Sequence, residues 1–332
     1  MNRTNQILVG ALALQIVLAA VVFWPRPATS LGSGESLFAG LEADQIVRLT
    51  ISDAEGGRIL LAKGAGGWVL PDADDYVTQG TQVPDFLAKI VELKADRLVT
   101  QTPASHKRLQ VAGDSFDRLI EFELADGATH RLYLGTSPTY QVTHVRADDA
   151  DEVYLASGLS TSDAGVQATH WVDGLYLSVV QDQIVALTLE NAAGRIEFEK
   201  DEAGAWTMKG LAPDETLAES NVRSLVSRAS SLRMLRPLGK AESQAYGFDA
   251  PSAVLTVDTR DDEGVVKTMT LRVGAQSEED DSYVVISSES PYYVRVSAYT
   301  VSDFVEKTRD DYLELPPTPT PEPESATPTP TS

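Results

Sequence analysis

Histidine, carboxylate and tryptophan residues are the parts of this chain whose types and spacing could support chemistry. The four histidines are His106, His130, His144 and His170. Zinc would take about two or three such residues at helix or hairpin spacing, together with a carboxylate. His130 and His144 fit neighbouring strands, but the other two lie apart in sequence and residues 179–315 have none. We therefore predict no metal site and no cofactor.

Runs of carboxylates are the second feature with chemical potential. Calcium takes about six to eight oxygen ligands, and acidic runs could supply them. None of the runs has the spaced loop with a central glycine and a terminal glutamate, so we interpret them as solvated hairpin tips. The runs are residues 72–75, 148–152, 261–263 and 278–281.

The chain offers no clear nucleophile. A serine hydrolase would carry its serine in a G-x-S-x-G turn between a strand and a helix, and no such string occurs. The glycines of residues 63–67 (KGAGG) join strand to strand without a helix N-terminus to receive a phosphate, which favours a hairpin turn. Trp68 and Trp206 could stack on sugars, but their matching positions favour core packing. We predict no catalytic residue and no enzymatic activity.

Composition excludes several classes of function. The formal net charge of −22 opposes binding to nucleic acid, which draws on phosphate neutralisation by Lys and Arg. It also opposes docking flat on an anionic bilayer, which needs basic clusters. The chain has no cysteine, which excludes disulfides, thiolate metal sites and cysteine nucleophiles.

The elements that position these residues occur twice in the sequence. Residues 44–50 (DQIVRLT) return as residues 182–188 (DQIVALT), an offset of 138. Trp68 and Trp206 keep this offset, while Gly135 and Gly274 follow it with a drift of one residue. Such a period is too long for a solenoid unit and suits a whole small domain. The sequence therefore predicts tandem copies of one module.

Each predicted copy begins with strands and continues into a helix. Alternating apolar and polar residues predict opening strands at 45–52 and 183–190. Two further strands follow in each copy, with the tryptophan in the last of them. Apolar residues at steps of three and four over 83–93 and 222–232 then predict an amphipathic helix laid on a sheet.

Further short strands follow each helix and complete the module. One of them is predicted at residues 140–146, before the charged turn at 148–152. Each copy closes on an aromatic segment that we expect to be helical, around Trp171 and around Phe304. Consecutive strands joined by short turns, with one helix in each copy, predict an α+β fold of mainly antiparallel sheet.

Residues 7–24 form an apolar run interrupted only by Gln15. As a helix the run would rise about 27 Å, close to the ~30 Å hydrocarbon core of a bilayer. An uncleaved anchor and a secretory signal with a weak cleavage site at residues 28–30 both fit, and the length of the run favours the anchor. The predicted anchor residues are Ile7, Leu8, Leu12, Leu14, Ile16, Val17, Leu18, Val21, Val22, Phe23 and Trp24.

The chain resembles a bacterial family called domain of unknown function 4340 (DUF4340). The resemblance rests on the opening strand and its twin, the tryptophan after a turn, and the amphipathic helix. It also rests on residues 246–251 (YGFDAP), which are similar to the family's Tyr-Gly-Leu-Asp-x-Pro turn. The first copy departs there with residues 109–114 (LQVAGD), so a contact made by this turn is expected in the second copy alone.

The resemblance implies an anchored accessory subunit outside the cytoplasm, because such proteins are often encoded beside ABC-type export permeases and gliding-motility-like components. It carries over no catalytic residue. We expect a single-pass protein of the bacterial cell membrane with its C-terminal bulk on the extracytoplasmic side. Its predicted segments are an anchor and linker at 1–36, α+β repeats at 37–178 and 179–315, and a disordered Pro/Thr-rich tail at 316–332.

The expected function is therefore that of a non-enzymatic accessory or scaffold protein in an ABC-type transport or gliding-motility-like envelope complex. Its expected partners are the lipid bilayer and an ABC-type permease complex, and no nucleic acid. The alternative is a binding module for cell-wall glycan or another envelope ligand. In that case Trp68, Trp206, Tyr292 and Tyr293 are the contact candidates.

Overall fold

The computed structural model describes Gly32 and residues 34–314. Antiparallel strands dominate this part of the chain, and its α-helices are α1 (Gln82–Val91), α2 (Glu219–Ser230) and α3 (Ala298–Val305). The fold class is therefore α+β, as the sequence predicts.

The strands are mostly short, and most alternate between buried and exposed side chains. Those before residue 160 are β1 (Glu35–Ser36), β2 (Ile46–Asp53), β3 (Arg58–Gly64), β4 (Gly67–Leu70), β5 (Tyr76–Val77), β6 (Lys94–Ala95), β7 (Arg97–Thr100), β8 (Val111–Ala112), β9 (Ser115–Phe116), β10 (Arg118–Leu124), β11 (Thr129–Leu134), β12 (Val142–Ala147) and β13 (Val153–Ser157). Those after it are β14 (Leu175–Ser178), β15 (Ile184–Asn191), β16 (Gly194–Lys200), β17 (Trp206–Met208), β18 (Ser231–Arg233), β19 (Arg236–Gly239), β20 (Ala253–Arg260), β21 (Val266–Gln276), β22 (Ser282–Ser287) and β23 (Tyr293–Ser297).

Short 3-10 helices connect several of these strands. They span Ala43–Gln45, Pro71–Ala73, Pro103–Ser105, Ala168–His170, Gln181–Gln183, Gln244–Tyr246 and Arg309–Tyr312. The chain divides into two compact units. The first combines the described residues up to Gly56 with Pro84–Ala164, and the second combines Gly57–Val83 with the described residues from Gly165 onward.

The first unit is built on an antiparallel sheet with the strand order β2-β10-β11-β12-β13-β7. Because side chains alternate across a strand, one face of this sheet is apolar and the other polar. The small ribbons β1-β6 and β8-β9 belong to the same unit. The buried residues of its core include Leu49, Ile51, Ile120, Phe122 and Leu132 of the sheet and Phe86, Leu87 and Ile90 of α1.

The second unit contains the antiparallel ribbon β3-β4-β5, the pair β14-β18, and a sheet with the order β17-β16-β15-β20-β21-β22-β23-β19. Helix α3 lies against β15, β20, β21, β22 and β23, and it also contacts α2. The core residues of this unit include Leu187, Leu189, Leu255, Val257 and Leu271 of the sheet and Val222, Leu225, Val301 and Phe304 of the helices.

Most predicted elements are present with boundaries shifted by a residue or two. The opening strands are β2 and β15, each one residue later than predicted. The two predicted helices are α1 and α2, although Leu93 and Leu232 lie beyond the helix ends and are buried there. The predicted helical segment around Phe304 is confirmed as α3.

Two details of the prediction were wrong. The strand predicted from Tyr140 begins at Val142, because Gln141 adopts a left-handed backbone (φ 56°) that ends extended pairing. The segment around Trp171 has a short 3-10 helix that ends at His170, followed by β14. The chain therefore does not repeat, at this point, the α-helix that it forms around Phe304.

No helix within residues 34–314 is both long enough and apolar enough to cross a bilayer. The predicted anchor at residues 7–24 lies outside the described residues, and so does the predicted tail at 316–332. Both stay predictions from the sequence.

Candidate functional site

The two histidines predicted on neighbouring strands lie on β11 and β12, which pair with each other. They do not converge on a common site. His130 Nδ1 lies 3.0 Å from Asp148 Oδ2, whereas His144 Nδ1 lies 2.7 Å from the carbonyl oxygen of Thr136. Each histidine therefore has a separate local partner.

The other two histidines also contact neighbouring residues of the fold. The Nε2 atom of buried His106 lies 2.9 Å from the carbonyl oxygen of Asp151. The ring of His170 packs edge-on against Trp171, with 4.7 Å between ring centroids. Within residues 34–314, no group of three or more His, Cys, Asp or Glu side chains is placed to hold a metal ion.

The carboxylate runs lie at turns and cap them. Asp74 and Asp75 both have left-handed backbones, with φ 52° and 59°, and Asp74 Oδ2 accepts a hydrogen bond from the Lys240 N–H at 2.5 Å. Asp261 Oδ1 accepts from the N–H groups of Glu263 and Val265 at 3.0 and 2.9 Å. Short acidic side chains close turns in this way, which agrees with the interpretation as hairpin tips.

The two tryptophans are buried, each with 8% of its surface exposed. Trp68 lies on β4 and Trp206 on β17. The Lys63–Gly67 segment that precedes Trp68 is the hairpin between β3 and β4, with Gly64 opposite Gly67, as predicted. Burial to this extent leaves little of either ring for a sugar to stack on, which favours core packing for both tryptophans.

Tyr292 and Tyr293 are engaged within the second unit. The Tyr292 ring packs edge-on against Tyr76 with 4.7 Å between centroids. The Tyr293 hydroxyl donates to Glu242 Oε2 at 3.1 Å. Desolvation and the hydrogen bond with Glu242 raise the pKa of Tyr293. These contacts hold both rings in place, which disfavours them as free ligand contacts.

The turn that carries the family resemblance packs on a glycine in both units. A Cβ atom on Gly274 would lie 2.1 Å from the carbonyl oxygen of Tyr246. A Cβ atom on Gly135 would lie 2.0 Å from the carbonyl oxygen of Leu109. The expectation that only the second copy keeps this contact was wrong, because Gln110 adopts the left-handed backbone that Gly247 adopts in the other turn (φ 57° and 73°).

A cleft of about 390 Å³ opens in the first unit, and we call it the hydroxyl cleft. It is lined by the loop before β12 (residues 137–141), the loop after β13 (residues 158–163) and Lys89 of α1. The second loop is ordered by Asp163, whose Oδ2 accepts from the N–H and Oγ of Ser160 at 2.8 and 2.6 Å. Lys89 Nζ lies 2.6 Å from Asp163 Oδ1.

This arrangement keeps Asp163 ionised at neutral pH. Partial burial alone would raise the pKa of its carboxyl, but the hydrogen bonds from Lys89 and Ser160 outweigh that effect and lower it. Across the cleft, Tyr140 has 89% of its surface exposed. Sequence reasoning missed this cleft, because Tyr140 was assigned to a strand and the serines of residues 160–162 have no periodic pattern.

An open groove of about 400 Å³ lies in the second unit, and we call it the valine groove. It is lined by residues 176–180 of β14 and its continuation, by Gln183, and by side chains of β20, β21 and residue 289. Val180 is 60% exposed on its lining, and Val265 and Val266, which precede the lining residue Lys267, are 59% and 52% exposed. Lys267 forms an ion pair with Glu289 beside them.

The polar face of the first sheet forms another shallow groove. Its two arginines have carboxylate partners: Arg48 Nε lies 3.5 Å from Glu123 Oε2, and Arg131 Nη2 lies 3.0 Å from Asp149 Oδ2. Exposed pairs of this kind contribute little stability. This face is therefore a solvated surface with balanced charge rather than a site for a single ion.

These observations define an α+β protein of antiparallel sheets that carries open surface clefts in both units. Comparison with protein families gives a match to Domain of unknown function (DUF4340) over residues 68–251. The match covers more than half of the 332 residues, and the chain belongs to this family. It begins at Trp68 and ends at Pro251, so it includes both helices of the predicted repeats. Comparisons with curated proteins and with solved structures gave no match.

Proposed function

We propose that this protein is a membrane-anchored accessory or scaffold protein of the bacterial cell envelope. Its folded part would lie on the extracytoplasmic side and dock onto an ABC-type transport or gliding-motility-like complex, with no catalysis of its own. The observation that carries this proposal is the valine groove of the second unit, an open depression lined by the exposed Val180 together with Val179 and Met269.

Exposed apolar surface in an open groove is typical of protein interaction sites. Fully burying one valine contributes about 1.5 kcal/mol or more. Since 60% of the Val180 surface is exposed, covering it would contribute roughly 1 kcal/mol. The ion pair of Lys267 and Glu289 adds a polar rim, as in other protein interfaces.

An interaction of that size is weak for two free proteins, but it suits a tethered one. Residues 7–24 are long and apolar enough to anchor the chain in the bilayer. Confinement beside a membrane partner raises the effective concentration to about the millimolar range. A modest groove is then sufficient for stable association, which supports a permanent accessory role.

We further infer that residues 37–178 and 179–315 are tandem copies of one module. The order of elements supports this, because strands β2, β3 and β4 lead into α1 as β15, β16 and β17 lead into α2. The close packing of a turn carbonyl on Gly135 and on Gly274 supports it too. So does the equal burial of the two matching tryptophans.

The alternative function is a binding module for an envelope ligand, and the aromatic residues predicted to contact that ligand are not available for it. Trp68 and Trp206 are buried, and the rings of Tyr292 and Tyr293 are held by neighbouring side chains. The partner class itself comes from the family resemblance, which points to ABC-type permeases. The accessory role is therefore the function that we favour.

The test is purification of the tagged full-length protein from its native membrane after chemical crosslinking, with mass spectrometry of the recovered partners. We expect recovery of an ABC-type permease or its ATPase, with crosslinks at Lys267. Val180→Asp should lower that recovery about tenfold, since a buried charge costs more than 1.4 kcal/mol. Val77→Asp is the matched control, because Val77 is 63% exposed in the same unit but outside the groove.

Two results would contradict the proposal. One is recovery of the protein without any transport subunit. The other is equal recovery with Val180→Asp and with the Val77→Asp control, which would place the contact elsewhere.

A further inference from the structure

We propose that the hydroxyl cleft of the first unit is a binding site for a neutral oligosaccharide. The site would grip the polymer through Tyr140, Gln141 and the hydroxyl-bearing loop of residues 158–163. This proposal goes beyond the accessory role and does not depend on it, because the cleft and the valine groove belong to different units.

The volume of the cleft fits a small ligand. Its 390 Å³ falls within the range of about 300–1,000 Å³ that is typical of ligand sites. The two loops that line it both lie at the open end of the hairpin formed by β12 and β13, where Val142 pairs with Ser157. The cleft is therefore held by a paired sheet, and its shape exists before any ligand arrives.

The side chains that line the cleft are of the types that bind a polyhydroxyl ligand. Most of its side chains are hydroxyl or amide groups, which both donate and accept hydrogen bonds. Ser160 Oγ lies 2.8 Å from Ser162 Oγ, so hydroxyls are already arranged as a connected group. A sugar ring presents the same mixture of donors and acceptors along its edge.

The charge of the lining favours a neutral ligand. Lys89 is its one cation and Asp163 its one anion within the described residues, and they pair with each other at 2.6 Å. A phosphate would need unpaired cations, as in sites built from arginine or from helix N-termini. An uncharged ligand can instead accept from the lysine and donate to the carboxylate without separating them.

Tyr140 supplies the apolar part of such a site. With 89% of its surface exposed, the ring contributes nothing to the core and is the aromatic residue of the cleft lining. Aromatic rings combine a large apolar face with a polar tip. The C–H face of a sugar ring can cover that aromatic face while its hydroxyls reach the serines.

The residue after Tyr140 holds a left-handed backbone. Gln141 has φ 56°, a left-handed conformation that costs about 1–2 kcal/mol for a residue with a side chain. Glycine would avoid this cost at the same position. The surrounding structure must hold such a residue in place, and here the side-chain amide of Gln141 lies 3.5 Å from the Tyr140 hydroxyl.

The matching place in the second sheet provides an internal comparison. The segment between β21 and β22 carries Glu278, Glu279, Asp280 and Asp281 and no aromatic residue. Such a segment would repel acidic ligands and lacks a ring to stack on. The oligosaccharide site is therefore specific to the first unit.

The experiment is calorimetric titration of the full-length protein, together with saturation-transfer NMR, in a detergent without a sugar head group. The probes are cellotetraose, tetra-N-acetylchitotetraose and maltotetraose, with inorganic phosphate as a charged comparison. We expect one of the oligosaccharides to bind with a dissociation constant on the order of 0.1–1 mM, and phosphate not to bind. The oligosaccharide that binds identifies the linkage and the sugar.

Three variants locate the binding. Tyr140→Ala should weaken it about tenfold, the loss expected for one aromatic contact. Tyr299→Ala is the matched control, because Tyr299 is 76% exposed on α3 of the second unit, and it should leave affinity unchanged. Gln141→Gly should weaken binding about fivefold while raising the melting temperature, since it removes the amide and relieves the left-handed strain.

The proposal is overturned if no oligosaccharide binds at a concentration on the order of 10 mM. That concentration is about tenfold above the weakest dissociation constant that we expect. It is equally overturned if Tyr140→Ala, with a normal melting temperature, binds as tightly as the unmodified protein. Binding of phosphate alone would replace it with an anion site at Lys89. None of these outcomes bears on recovery of a permease, so the two proposals fail independently.

Discussion

Replacing Gly135 by alanine should destabilise the first unit by an amount that the geometry sets. The new Cβ atom would lie 2.0 Å from the carbonyl oxygen of Leu109 and 2.7 Å from that of Gln110. Real Cβ atoms stay at least 3.0 Å from such neighbours. Both obstacles are backbone atoms, so no rotation of a flexible side chain can relieve the contact.

The magnitude follows from the movement that alanine would force. The turn must withdraw from Gly135 by about 1 Å, the difference between 3.0 and 2.0 Å. Overpacking of this kind costs about 1–3 kcal/mol, and a rigid backbone favours the upper value. The withdrawal also stretches the hydrogen bond from the Thr136 N–H to Leu109, now 3.1 Å, which is worth about 1 kcal/mol. The sum is about 3–4 kcal/mol.

The assay is thermal unfolding of the full-length protein, with hydrogen exchange of peptides from β11 and β12. A loss of about 3–4 kcal/mol lowers the melting temperature by about 6–16 °C for a domain of ~150–250 residues. Exchange should accelerate most in peptides next to Gly135. Gly80→Ala is the control, because a Cβ atom there meets no atom within 4 Å, and it should change stability by less than about 0.5 kcal/mol.

A Gly135→Ala protein that melts within about 2 °C of the unmodified one would refute this reasoning, because that shift is under about 1 kcal/mol. The turn would then not rest on the glycine. Gly274→Ala offers a second measurement of the same feature, since its Cβ atom would lie 2.1 Å from the Tyr246 carbonyl oxygen. Similar losses at both glycines would also support the proposed duplication.

Three further changes test other parts of the fold. Asn191→Ala should lower the free energy of unfolding by about 1–3 kcal/mol. The Asn191 amide donates to two carbonyls at the end of α3, at 3.0 and 2.8 Å. A urea titration that shows no loss of stability would contradict this prediction. The hydrogen bond from Arg309 lowers the pKa of Glu215 to about 2, so the pair stabilises the fold above pH ~4.3 and is lost as the pH falls towards ~2. Glu215→Gln should therefore melt lower than the unmodified protein at neutral pH and converge with it near pH 2; a gap that is constant with pH would argue against the pair. Trp68→Ala should cost about 3–5 kcal/mol as a buried aromatic truncation, and a loss below about 1 kcal/mol by the same titration would mean that the ring is not packed.

The sequence predicts those elements whose signal is local. Strands β2 and β15 have regular alternation, and α1 and α2 have apolar steps of three and four, so each is recognisable within its own segment. Strand β7 was not predicted, because it is short and mostly exposed and its partner is distant in sequence. Arg97 pairs with Leu155, and no local pattern encodes such a pairing.

The hydroxyl cleft escaped prediction for a related reason. Its two loops are separate in sequence and meet only because β12 and β13 pair. Serine and threonine in loops have no period that would mark them as one surface. The tryptophans were easier, because their matching positions on predicted strands already favoured burial, and both are buried.

The proposed duplication gives a physical reason for the division of roles between the units. The matched positions of the proposed copies include glycines that hold a turn against a sheet, Gly135 and Gly274, where a Cβ atom would collide with backbone. The proposed copies differ in their loops, since Tyr140 stands exposed in the first unit and a carboxylate run fills the corresponding place in the second. Divergence is tolerated in loops because they are solvated and do not determine the packing. Ligand and partner contacts are therefore expected in the diverged loops and grooves, one kind in each unit, rather than at the matched positions.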